Sequence, residues 1–166
     1  FDQPNVQESK DSTTRVLGEY EATGRVPVLD VDTTLSDLID GAHPGDYLAI
    51  MAYVDESPEF DTTVEQLRRV LLERHALPTT FGYGPRFLHS TGQLHKGGKP
   101  NGLFLQIVHA EYAALSNPME PYGFDVLVAA QAVGDLQVLQ ARGCKVARVE
   151  LAGDHVAQLN RLFREV

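Results

Sequence analysis

Between positions 83 and 101 the chain gathers Arg86, His89, Ser90, Thr91, Gln93, His95, Lys96 and Lys99, interrupted by Gly84, Gly92, Gly97 and Gly98. Imidazoles can move protons, and cations and hydroxyls can hold an anion. A glycine pair between cations could also turn backbone N–H groups into a concavity for one. Arg86, His89, Ser90, Thr91 and Lys96 are therefore the candidate contacts for a small phosphorylated ligand. The spacing is not that of the nucleotide-hydrolase phosphate loop or of a dinucleotide fingerprint. His89 and His95 are six apart with no glutamate between them, which does not make a zinc helix. The competing reading is a glycine-rich turn whose histidines and hydroxyls bond its own backbone. An acid–base role for His89 or His95 would need a carboxylate beside the imidazole, and Glu111, Asp125 and Asp135 are the ones to inspect.

The elements around this stretch must position it. A nearly continuous apolar run at 46–54 has the pattern of a strand covered on both faces, 102–109 is again mostly apolar, and 79–83 and 145–151 read as two further strands. Helical spacing of apolar residues joins them: a helix capped by Asp61 or Thr62, a long one over 125–142 stopped by Gly143, and a last one capped by Asp154. A short helix over 34–40 ends at Gly41. Residues 111–122 read as a loop able to fold over the site, and residues 21–33 as a connector or edge strand. Gln131 and Asp135 are the polar residues of interest on the long helix, for which a solvated face is the simpler account. The fold class is α/β, a three-layer sandwich with a mostly parallel sheet of about four strands, room for one antiparallel neighbour, and a preceding N-terminal helix. The 83–101 loop would leave the carboxyl end of the second strand, where open α/β sheets commonly meet ligands.

At 166 residues and 43% apolar content the chain can bury a core as one compact unit. A net charge of -9 argues against a nucleic-acid surface. The single Cys144 allows no internal disulfide and suggests a cytoplasmic protein. No apolar run is long enough for a bilayer span.

The opening residues, Phe1-Asp2-Gln3-Pro4-Asn5-Val6-Gln7-Glu8-Ser9-Lys10, read as a helix start, with Asp2 or Gln3 as cap and Pro4 in the first turn. Gln3, Val6 and Lys10 would share one face of it. This segment resembles the C-terminal signature of glucose-6-phosphate isomerases: Phe1, Asp2, Gln3, Val6 and Lys10 fit, whereas Asn5 and Gln7 depart from the family's small residue and acid. The run Gly84-Pro85-Arg86-Phe87-Leu88-His89-Ser90-Thr91-Gly92-Gln93-Leu94-His95-Lys96-Gly97-Gly98 resembles the C-terminal region of bacterial transaldolase/glucose-6-phosphate isomerase fusion enzymes.

The resemblance implies that Lys10 reaches the sugar-phosphate site and helps open the substrate ring, and that Gln3 lines the same site. It implies isomerisation of glucose 6-phosphate to fructose 6-phosphate through an enediol, with no cofactor or metal. The carboxylate base and most phosphate-binding loops would lie upstream of Phe1, and transaldolase in a separate preceding part. On this reading residues 1–20 are the tail helix of the isomerase domain, 21–45 a connector and 46–166 a C-terminal α/β domain. The partners are a sugar phosphate and the upstream isomerase and transaldolase domains, and the fragment alone is expected to be inactive. The apolar side of the first helix would have lost its partner, which leaves a homodimer open. The domain from residue 46 onward is then a ligand-binding accessory module or a structural and assembly module.

Overall fold

The computed structural model describes residues 4–165. Four parallel strands form one sheet in the order β2-β1-β3-β4, where β1 is Tyr47–Tyr53, β2 Thr79–Tyr83, β3 Gly102–His109 and β4 Lys145–Leu151. Each coincides with a strand read from the sequence, and the sheet has no antiparallel neighbour among the described residues.

Alternation along β1 divides the core between two faces. Leu48, Ile50 and Ala52 point to one, where they meet Leu38 of α2 (Leu35–Asp40), Phe60, Val64, Leu67 and Leu71 of α3 (Pro58–His75), and Leu159 of α6 (His155–Leu162). Ala49, Met51 and Tyr53 point to the other, against Phe87 and against Ala132, Leu136 and Leu139 of α5 (Phe124–Ala141). Helices on both faces of a parallel sheet make the three-layer α/β sandwich.

Local chemistry sets most helix ends. Thr34 and Asp37 form a reciprocal capping box for α2, and Asp154 Oδ1 accepts from the Ala157 N–H at the start of α6. Helix α3 starts earlier than expected. Ser57 Oγ accepts from the Phe60 N–H and Pro58 opens the helix, so Asp61 and Thr62 lie inside it rather than capping it. Residues 110–123 carry no regular element, and 24–34 connect α1 to α2 without a strand.

The first helix, α1 (Pro4–Thr23), runs through Gly18 and packs along α5 and α4 (Ser90–Gly97). Its buried residues are Asn5, Val6, Ser9, Ser12, Thr13 and Val16, so the face that meets α5 is mainly polar and small. The expected apolar side without a partner is not found. This face is covered by the chain itself.

Candidate functional site

The stretch expected to be an extended loop is mostly helical. Gly84 and the cis-bonded Pro85 leave β2, Arg86–Leu88 form a 3₁₀ turn, and α4 follows with His89 at its N-cap. The anion concavity expected at Gly97-Gly98 does not form, because the Gly98 N–H is engaged by the Leu94 carbonyl at the end of α4.

Folding of α4 sorts the candidate residues. His89, Ser90 and Thr91 occupy its exposed N-terminal end, while Gly92, His95 and Lys96, spaced as one helical face, turn inward. Lys96 is thereby removed from the expected ligand set: its side chain is fully buried and its Nζ pairs with Asp135 Oδ1 of α5. Arg86 is exposed and its guanidinium donates to Glu56 Oε1 at 2.9 Å, outside the cleft described next. Gln3 lies outside the described residues.

Lys10 and His89, seventy-nine positions apart in the chain (89 − 10), come to one cleft of about 330 Å³ lined by Lys10, Thr13, Thr14, Pro85, His89 and Gln131. Thr13 Oγ1 donates to the Ser9 carbonyl and Thr14 Oγ1 to the Lys10 carbonyl, which uses their protons on α1 itself. The Lys10 ammonium, the His89 imidazole and the Gln131 amide make no side-chain hydrogen bond to the described residues. A cation, an imidazole and an amide able both to donate and to accept suit a hydroxylated, anionic ligand. No carboxylate is among the residues lining the cleft.

Beside the cleft runs a polar seam that sequence reasoning missed, buried at Ser9, Lys96 and Asp135 and open to solvent at Glu8, Arg15 and Arg142. Ser9 Oγ donates to Asp135 Oδ1 at 3.1 Å, the oxygen that also takes Lys96. Arg142 donates to Asn5 Oδ1 at 2.7 Å and to both carboxylate oxygens of Glu8. Ser12 Oγ donates to Gln137 Oε1, which also accepts from Arg15, and the Asn5 N–H donates to Gln93 Oε1. Asp135 is fully buried rather than on a solvated face, and Gln131 lines the cleft. Burial pushes the Asp135 carboxyl above its usual range, against the opposing pull of Lys96 and Ser9. Asp135 Oδ2 and the Tyr53 hydroxyl are both buried outside hydrogen-bond geometry, yet near enough that Tyr53 also pulls the carboxyl down while Asp135 raises the phenol. The only sequence signal for this seam was the spacing of hydroxyls at Ser9, Ser12 and Thr13.

Neither histidine candidate, His89 or His95, gains a carboxylate. His95 is enclosed by Tyr47, Phe87 and Phe104, with ring centroids 6.2, 6.0 and 5.4 Å away. Burial, with the neighbouring Lys96 charge, lowers its pKa to about 4. Asp135 serves Lys96 rather than a histidine.

A second cluster lies at the carboxyl end of β3. The Asp55 N–H donates to His109 Nε2 at 3.1 Å, so the neutral His109 carries its proton on Nδ1 and donates it to His155 Nε2, also 3.1 Å away. Each neutral ring then has its one acceptor nitrogen occupied. Burial first, and His155 second, lower the His109 pKa.

No protein-family model matches the chain, and no curated protein matches it. No helix among the described residues is long and apolar enough to cross a membrane.

Proposed function

We propose that this chain is the C-terminal part of a transaldolase/glucose-6-phosphate isomerase fusion protein, a cytoplasmic enzyme interconverting glucose 6-phosphate and fructose 6-phosphate, and that Lys10 acts in its site. The observation that carries the reading is the meeting of two separately recognised segments: Lys10 of the opening motif and His89 of the glycine-rich motif line one cleft. Lys10 is exposed on α1 and free to face a substrate. Its ammonium would stabilise negative charge on the ring oxygen as the hemiacetal opens, with His89 and Gln131 placed to hydrogen-bond sugar hydroxyls. The cleft lining has no carboxylate to carry the proton from C2 to C1, which agrees with a base supplied by the preceding isomerase domain.

The test is isomerase turnover of the full-length protein. Lys10→Ala is expected to lower kcat/KM by about 10²-fold or more, and unaltered turnover would remove the assignment. A second reading, in which residues 46–166 form a non-catalytic accessory module, is favoured by the seam that holds α1 on the domain. Where that module is structural only, His89→Ala and Gln131→Ala leave turnover and fructose 6-phosphate binding unchanged while Lys10→Ala abolishes turnover; where it binds ligand, the same two variants weaken fructose 6-phosphate binding.

A further inference from the structure

We propose that the Lys96–Asp135 pair is a positioning device: through Ser9 it fixes the register of α1 on α5, so that Lys10 stands beside His89 and Gln131. The inference rests on the cleft being the substrate site.

Both side chains of the pair are fully buried. A buried ion pair is a poor source of stability, since well-packed apolar residues of similar volume often serve as well or better, and its best-attested use is to fix a register. The pair is placed for that use. Asp135 Oδ1 takes Lys96 from α4 and Ser9 from α1, so one carboxylate oxygen joins three helices. Ser9 immediately precedes Lys10, and Gln131 lies one turn before Asp135 on α5, both at the cleft.

Without the pair the register rests on bonds nearer the surface, from Arg142 to Asn5 and Glu8 and from Ser12 to Gln137. Helices α1 and α5 pass in opposite senses, Asn5 meeting Arg142 at one end and Val16 meeting Ala130 and Val133 at the other. The hydroxyls of Ser9 and Thr13 are four residues apart, so a slip of one turn, about 5.4 Å, would present Thr13 to the position Ser9 now occupies. That slip would carry Lys10 away from His89. Lys96 and Asp135 touch no ligand on this account and act only through the helix they hold.

The test uses the full-length protein with nitroxide labels at Asp11→Cys on α1 and Gln140→Cys on α5, both exposed, in a background where every native cysteine, Cys144 included, is replaced by Ser. The unaltered seam should give one narrow distance distribution. The double variant Lys96→Met with Asp135→Leu is expected to keep its urea midpoint, to broaden or shift the distance by up to about 5 Å, and to lose at least about tenfold in isomerase kcat/KM. A folded double variant with the original single distance overturns the proposal. Should the double variant not fold, Asp135→Asn, which keeps the side-chain shape, is read by the same distance with the same two outcomes. If Lys10→Ala leaves turnover intact, the reading of the cleft fails, yet the label distances still decide whether the pair sets the register.

Discussion

A neutral imidazole closed in by Tyr47, Phe87 and Phe104 refuses a proton that the unfolded chain accepts. The folded pKa of His95 is lowered to about 4 from an ordinary 6.5, so its contribution to stability is complete above pH 6.5 and is lost as pH falls through that window. The full loss is roughly 3 kcal/mol. His95→Phe should therefore flatten the decline in unfolding free energy between pH 6.5 and 4 relative to the unaltered protein, as measured by urea titration at each pH. An equal decline in both would show that the ring is not held neutral. At this scale the sequence singled out Lys10 through a resemblance and His89 through its glycine-rich surroundings, and the fold brings both to one cleft. The sequence was not legible for Lys96 and Asp135. A lysine and an aspartate thirty-nine positions apart (135 − 96) look like solvated charges until the fold brings them together in a dry place.

The same contrast holds between elements. Strands β1 and β3 were readable because sheets covered on both faces demand unbroken apolar runs. The cap at Asp154 was readable because a carboxylate before a helix has one obvious task. Helix α4 was not. It exposes Leu94 at 62% and buries His95 at 7% and Lys96 at 6%, which inverts the polarity that periodicity relies on. Helix α1 hides its contact face in the same way, behind Asn5, Ser9, Ser12 and Thr13. Its approach to α5 is tight: a Cβ at Gly134 would come within 2.8 Å of the Thr13 backbone nitrogen, which cannot move without the helix. Gly18, on the exposed side of α1, has nothing within 4 Å of such a Cβ. Gly18→Ala should accordingly stabilise by about 0.5–1 kcal/mol. Gly134→Ala should fall below that gain by about 1–3 kcal/mol because the overpacking is against backbone. Chemical denaturation of the two variants side by side measures the closeness of the crossing, and equal gains would contradict it.

In the whole molecule stability is unevenly placed. The centre is the pair β1 and β3, whose residues from Leu48 to Tyr53 and Leu103 to Val108 are buried throughout and hydrogen-bonded to neighbours on both sides. Helix α1 lies outside this centre and is retained mainly by the polar seam, with only Val6, Val16 and their neighbours adding apolar contact. Hydrogen exchange should show α1 opening at a lower free energy than β1 and β3, as a unit of its own. Exchange of α1 only at the global unfolding rate would mean that the seam is as strong as the core. The α/β class was legible at this scale because strand-length and helix-length apolar patterns alternate along the chain. The docking of α1 was not, because its partners are polar and more than a hundred positions away.

Residues 24–34, which join α1 to the remainder, have no regular structure; Val26 and Leu29 pack beside Val16, and the polar contacts that hold the helix come from its own side chains. Cutting the tether would leave both sets of complementary groups intact. The first helix and the α/β body would then be two molecules with a shared binding surface, the covalent link contributing effective concentration and little recognition.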